Sequence, residues 1–455
     1  MKTVFDYFEE IMSIPRESGK EEKITEYLVN YAKEHNLEYN VGKYNTVFLK
    51  KNNRSKKTII LQAHSDMVCV SSEPFDFDNN GIPYYVEGDY YKAKGTSLGA
   101  DDGIGLAIIL AMLQEDKDMP NIEVMITTQE ETTMLGASEF DYSKITGNTL
   151  ISLDGVKEGN IESSSAGMCS LTLSRKITYK KDNSNSYKLV IRGLAGGHSG
   201  DDISKSRLNA VKLAFQLLNQ LSYKNIIDIN IGIRDNVIPS EGYIVFSASN
   251  SLEELRRIIG NLKLSLGIDD NNLSLDIYAE DTSDSIVESS VIYNFIREIP
   301  DGLLDTYKED KFPLLSANVG KVSIEDGQLI IKYSIRGSDL VKEKELLNKL
   351  EELADTYHFN FKVDFKKPFF PFKEKSKIRL LLADSYKKLY GKDTSIKKVH
   401  ACMEGGILAN NIPNLDICTI APNIDNCHSI NEQLSISSTQ RVYDWLKDTL
   451  MEFNK

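Results

Sequence analysis

The sequence predicts an α/β protein whose first domain has a mostly parallel sheet flanked by helices and is interrupted by an inserted α+β domain of two ferredoxin-like units. Three observations predict this. The first 180 residues alternate strand-like and helix-like runs, which is the pattern of a parallel sheet covered on its faces. From about Ser184 the order changes to β-α-β-β-α-β. After Phe365 the texture resets to a turn and a helix, and a further polar motif follows around His428. The expected boundaries are 1–183 for the first part of the first domain, 184–367 for the insertion and 368–455 for the return.

The elements follow in order. MKTVFDYFEEIMSIPRES mixes acidic residues into an amphipathic pattern and lacks the apolar middle of a signal peptide, so it reads as a helix of the mature protein. TVFLKK, TIILQA, NIEVMITT and NTLISLD read as strands, and ADDGIGLAIILAMLQED as the helix among them. Gly103 and Gly105 in that helix's first turn cost helix stability, so a close approach of backbone to a neighbour or ligand is expected there. In the insertion, SYKLVIRGL, SRLNAVKLAFQLLNQL, IIDINIGI, GYIVFSAS, SLEELRRIIGNLKLSL and LSLDIYAED supply one ferredoxin-like order. SSVIYNFIREIPDGLL, SANVGKVSIEDGQ, LIIKYSIRGS, EKELLNKLEELADTY and FNFKVDF make a second, looser copy. Side by side the two would form one extended sheet.

Composition narrows the class. A chain of 455 residues is long for a single core, so two domains are expected. With 54 basic and 67 acidic side chains the net charge is −13, which disfavours the basic face that nucleic acid requires. No run of about 18 apolar residues is present, so no membrane span is expected. Five scattered cysteines fit a reducing cytoplasm better than a disulfide framework, and Cys427 reads as a small buried thiol.

Five polar interruptions of apolar runs carry the chemistry. His64, Asp101, Glu131, Asp154 and His428 are of the number and type needed to hold two divalent metal ions sharing one carboxylate. Each follows a strand-like run, where an open α/β sheet builds its site. On a strand end, His64 and Asp66 point to one side, so Asp66 can hold the imidazole of a ligating His64 from behind. Of Asp101 and Asp102, one is expected to cap a helix and Asp101 to bridge, because one charge shared by two cations lowers their repulsion. Glu130 and Glu131 are adjacent on a strand end and face opposite ways, so one can bind metal while the other takes a proton from water. Asp154 repeats the pattern on a neighbouring strand. His35 and His358 read as structural, and His400 stays undecided.

With HSDMV, SLGADDGIG, EET, GLAGGHSGDDI, RDNVIPSE, VHACMEGG and CHSINEQ in this order, the chain resembles the aminoacyl-histidine dipeptidase (peptidase D, cytosolic nonspecific dipeptidase) branch of the dinuclear zinc metallopeptidases, nearly end to end. The resemblance implies that His64, Asp101 and Asp154 hold one metal and Asp101, Glu131 and His428 the other. It implies that Asp66 orients His64, that Glu130 is the general acid/base and that His198, in a lid formed by the insertion, stabilises the oxyanion. Asn236 and Arg336 are implied to hold the polar end of the substrate, and Glu404 is a candidate partner for its ammonium group. The expected activity is metal-dependent hydrolysis of dipeptides with free termini, Xaa-His included, in the cytoplasm; a tripeptidase or an N-acyl amino acid deacylase is the alternative on the same scaffold. Zinc suits the mixed histidine and carboxylate set, with cobalt or manganese as alternatives. An edge strand of the lid could pair with a twin subunit as a homodimer.

Overall fold

The computed structural model describes residues 2–221, 224–266, 272–282 and 284–455. The chain divides into two compact units. The first comprises Met1–Ser165, Phe369–Val399 and Met403–Lys455, and the second Ala166–Pro368 with His400–Cys402.

In the first unit, eight strands form a sheet in the order Glu38–Val41, Val47–Lys51, Asn121–Thr127, Thr58–His64, Thr149–Ser152, Asp416–Thr419, Asn160–Ser165 and Ser395–Val399. The four central strands are parallel to one another. Their register sets His64 beside Thr127, Gln62 beside Ser152, and Ser152 beside Thr419. The carboxyl ends of all four therefore lie along one edge of the sheet. The outer pairs of Val47–Lys51 are antiparallel, which is why the sheet is mixed rather than wholly parallel.

The helix Ala100–Met112 is buried at every position except Asp101. A helix apolar on all sides belongs in an interior, and this one packs between Val4–Met12 and the strand Thr58–His64. Its glycines answer to protein neighbours: a Cβ on Gly103 would meet the Arg16 guanidinium at 2.5 Å, and one on Gly105 the Asp102 carboxylate at 2.2 Å. The amino-terminal helix Val4–Met12 starts with a capping box in which Thr3 accepts from Asp6 N while Asp6 accepts from Thr3 N. At the other end of the chain, Ile436–Asn454 brings the one tryptophan, Trp445, into the core, where its Nε1–H donates to Leu382 O at 2.8 Å and its ring meets Tyr386 edge-on.

The second unit begins at Ala166, earlier than the boundary at 184 expected from the sequence. Gly167–Lys176 is the reason. It pairs with Gln328–Gly337 on one side and Asn360–Lys367 on the other, so it lies inside the second sheet. It is also the missing first strand of the looser copy. In the sheet, Ser274–Glu280, Asn185–Arg192, Gly242–Ala248 and Lys224–Gly232 lie in the ferredoxin-like order 4-1-3-2, followed by Pro313–Glu325, Gln328–Gly337, Gly167–Lys176 and Asn360–Lys367 in the order 2-3-1-4. The first copy is thus spliced into the second just after its opening strand. Three residue pairs, from Asn230↔Ser323 to Gly232↔Lys321, join the copies into one sheet. The helices Ala210–Leu218, Leu252–Ser265, Ser289–Glu298 and Leu340–Thr356 share a single apolar core with alternate strand residues such as Leu171, Leu189, Ile229 and Phe246.

Among the described residues no helix is long and apolar enough to cross a membrane, and no disulfide joins the five cysteines. Replacing the buried Trp445 by alanine should lower the stability of the first unit by about 3–5 kcal/mol. Urea unfolding followed by far-ultraviolet circular dichroism measures this; an unchanged midpoint would show that the indole is not an anchor of the core.

Candidate metal centre

All but one of the ligand candidates of the first unit leave the same edge of the sheet. His64 ends its strand, Glu130 and Glu131 follow Thr127 by three and four residues, Asp154 follows Ser152 by two, and His428 lies in the loops after Thr419. Asp101 comes from the start of the buried helix, with φ −80° and ψ 112°, so it has not yet entered the helical spiral.

The two adjacent aspartates divide the work. Asp102 turns inward, where its carboxylate accepts from Gly105 N at 3.1 Å and His64 N at 3.3 Å, and so it supplies the helix cap. Asp101 turns the other way: Oδ1 lies 3.2 Å from His64 Nε2, and Oδ2 lies 3.3 Å from His428 Nε2. The peptide bond between them is cis. Asp154 Oδ1 is 3.7 Å from His64 Nε2, and Glu131 Oε1 is 2.7 Å from His428 Nε2. Three groups among the described residues have their ligand atoms within 4.8 Å of one another: His64–Glu130–Glu131, and the expected pair His64–Asp101–Asp154 and Asp101–Glu131–His428. Asp101 is the member common to the expected pair.

Neighbouring groups fix this arrangement. Asp66 is fully buried behind His64, with its carbonyl oxygen 3.1 Å and Oδ1 3.5 Å from Nδ1. The same carboxylate accepts from Glu130 N at 3.0 Å, Glu131 N at 3.3 Å and Ser18 Oγ at 2.7 Å, so it also anchors the turn that carries both glutamates. Two residues that the sequence reading did not single out complete the frame. Glu432 accepts four consecutive backbone N–H groups, from Leu98 to Asp101, at 2.8–3.2 Å. Arg16, 1% exposed, donates to the carbonyls of Ser65, Asp66 and Gly99, which ties the His64 loop to the Asp101 loop. Glu432 is the penultimate residue of the motif CHSINEQ, and its place four residues after His428 was the only available hint.

Five carboxylates, of Asp66, Asp101, Glu130, Glu131 and Asp154, converge on two imidazoles, and the titration behaviour follows. Burial works against charge on His64, but Asp101 and Asp66 outweigh it and hold the imidazole well above its usual range. His428 is pushed up to about 10 by Asp101 and Glu131. Burial raises Asp154 to about 7, with the charges of Asp101 and Glu131 acting in the same direction. Glu130 is likewise driven up by burial and by Asp154, Glu404 and Glu131. Glu404 is buried beside this group. Its Oε2 accepts from Gln62 Nε2 at 3.0 Å and from Thr127 Oγ1, Oε1 has no donor, and burial raises the acid to about 8.

These residues fit divalent cations. Buried carboxylates crowded together call for positive charge, the donors are imidazole nitrogens and carboxylate oxygens, and Glu131 Oε1 is buried with no donor in hydrogen-bond geometry.

The remaining three site residues meet within the second unit. His198 pairs with Val237 across a short ladder, and Ser199 N donates to Asn236 O at 3.0 Å. Arg336, 3% exposed, places Nη2 3.1 Å from His198 Nε2 and Nε 3.3 Å from Ser199 Oγ. It is a buried guanidinium rather than a surface ion-pair partner. His400 also lies in this unit, with Nε2 2.8 Å from Ser316 Oγ and Nδ1 buried without a partner; burial, with Arg336 acting in the same direction, lowers it to about 4.

The chain is 29% identical over 471 aligned residues to the cytosol non-specific dipeptidase of Escherichia coli strain K12, covering 99% of this chain and 97% of that one. The crystal structure of the aminoacylhistidine dipeptidase of Vibrio alginolyticus superposes with a TM-score of 0.87 at 28% identity, covering 99% of this chain and 96% of that one. An aminopeptidase of Bacillus cereus, at 15% identity and a TM-score of 0.58 over 99% of this chain and 98% of that one, shares the fold. The model of the peptidase family M20/M25/M40 matches residues 60–452, most of the chain, and the protein belongs to that family.

Proposed function

We propose that this protein hydrolyses the peptide bond of dipeptides with free termini, Xaa-His among them, using two divalent metal ions held by His64, Asp101, Asp154, Glu131 and His428. The observation that carries the reading is the Asp101 carboxylate, which turns one oxygen toward each imidazole while Glu130 stands beside the pair. Likeness over nearly the full length to two dipeptidases supports a dipeptide substrate over a tripeptide or an N-acyl amino acid. Zinc is the metal we assign, because imidazole and carboxylate donors suit it, with cobalt and manganese as substitutes.

When bound, the metal pair supplies a Lewis acid for the carbonyl and a water acidified toward neutrality. The chain's own residues do the rest. Asp66 keeps His64 and the Glu130–Glu131 turn in place. Glu130 receives the water's proton and returns it to the leaving amine, a task suited to a carboxylate whose proton affinity burial and like charges have raised. The free Oε1 of Glu404 is the acceptor we assign to the substrate's ammonium group. Arg336 would hold the carboxylate end, as a guanidinium does through paired N–H groups, with Asn236 beside it, and His198 would donate to the oxyanion. The cytoplasm is the compartment we assign, consistent with five cysteines that no disulfide joins. A homodimer belongs to the same reading, formed through the terminal strand Ser274–Glu280, where Tyr278 is exposed; the other terminal strand, Asn360–Lys367, is guarded by Lys362, Lys366 and Lys367.

Three outcomes test the proposal. The purified protein should contain two metal ions per chain, hydrolyse Xaa-His dipeptides faster than a tripeptide or N-acetyl amino acids, and lose turnover on chelation. Elemental analysis with a substrate panel decides, and full activity without metal would end the reading. Glu130→Gln should retain both ions and lose about 10² to 10⁴ in kcat; near-normal turnover would remove Glu130 from proton transfer. His198→Ala should also keep its metal while kcat falls, since its part is played on the substrate, and metal loss in that variant would contradict the assignment.

A further inference from the structure

Beside the turn that carries His198, wholly within the second unit, lies a cleft of about 230 Å³ lined by Ile203, Arg207, Ile238, Asp301, Leu303 and Asn318 among others. One wall has acceptors without donors. Asp301 Oδ1 accepts from Val319 N at 2.8 Å and from Asn209 Nδ2 at 3.0 Å, which leaves Oδ2 with no donor among the described residues. Lys212, whose charge reaches Asp301, gives its ammonium group to the carbonyls of Ile296 and Ile299, both at 2.6 Å. Asn318 is 2% exposed; its amide donates to Asp235 O and Val237 O, and its Oδ1 is buried with no partner. Burying such acceptors is costly unless something donates to them. Consistent with that, burial raises the Asp301 acid to about 6.

Arg207 brings the opposite charge to the same cleft. Its guanidinium reaches Asp202 Oδ1 at 2.8 Å and the carbonyl of Gly196. The apolar side chains of Ile203, Ile238 and Leu303 line the same cleft. A carboxylate and a guanidinium on one small, partly apolar cleft match a zwitterion, and the volume is below that of a drug-sized pocket.

We propose that this cleft binds one free α-amino acid, with the ammonium group on Asp301 and the Asn318 carbonyl, the carboxylate on Arg207, and the side chain against Ile203, Ile238 and Leu303. The site is coupled to the turn above it. Asp202 Oδ2 accepts from His198 N at 2.9 Å while Oδ1 accepts from Arg207 at 2.8 Å and from Lys205 Nζ at 2.7 Å, and a Cβ on Gly197 would meet the Arg207 and Asp202 side chains within 2.3 Å. A carboxylate that recruits Arg207 removes one of the two cations that hold the carboxylate on which His198 N is seated. Because the proposed reaction releases free amino acids, the cleft would let product slow turnover without competing with the dipeptide, a consequence that rests on the function proposed above.

Calorimetry on the metal-loaded protein tests this, with L-leucine as the probe and the catalytic centre saturated by a non-hydrolysable dipeptide analogue. One leucine per chain is expected. Asp301→Asn keeps the acceptor for Val319 and Asn209 but not the one for an ammonium group, and should weaken leucine binding about tenfold to a hundredfold. Leu303→Trp, which fills the cleft, should abolish it. Both variants should hydrolyse dipeptides at the unmodified rate when product is scarce. No leucine binding in the analogue-saturated protein, unchanged affinity in both variants, or equal binding of butylamine alone or acetate alone would overturn the proposal. If the chain turned over no dipeptide, leucine binding and its loss in Asp301→Asn would still be read directly, so the two failures are distinct.

Discussion

The structure of the first unit depends on one shared carboxylate. Asp101 faces two imidazoles at once, and that position is unfavourable unless the backbone leading to it is held, because a half-buried, charged side chain otherwise turns toward water. Glu432 holds it by accepting four successive N–H groups from Leu98 to Asp101, and Arg16 binds the carbonyls on the flanking loops. Arg16 and Glu432 are themselves buried and opposite in charge, so the frame compensates its own desolvation while leaving Asp101 free for the centre.

A second constraint is the register of the parallel strands. Parallel pairing sets His64, Thr127, Ser152 and Thr419 along one edge, and each loop leaving that edge carries one or two of the polar groups. Residues up to 364 positions apart, His64 and His428, meet on Asp101 for this reason alone. The buried helix Ala100–Met112 supplies the fifth candidate ligand, and Asp102 absorbs the capping duty that would otherwise have claimed Asp101.

The second unit applies the same economy to its backbone. Splicing one ferredoxin-like copy into another after the strand Gly167–Lys176 yields a continuous sheet from two half-sheets. The strand Gln328–Gly337 then carries Arg336 to His198 and Ser199, and the short ladder of His198 with Val237 adds Asn236. His400, from the late segment His400–Cys402, joins the same unit through Ser316.

Much of this was legible in the chain. Alternating apolar runs gave the parallel sheet, a β-α-β-β-α-β order gave the first copy of the second sheet, and acids or histidines after apolar runs gave the five candidate ligands that the fold brings together, because periodicity and the polarity that interrupts it are local properties that survive in one dimension. The boundary at 184 was not legible: Gly167–Lys176 is apolar like the strands before it, and only its pairing partners some 160 to 190 residues away assign it to the second unit. The sequence did pick Asp101 over Asp102 as the shared carboxylate, but it could not mark Arg16 and Glu432 as the frame. Those roles are set by which way a side chain turns and what donor it meets, and only the folded chain brings donor and acceptor together.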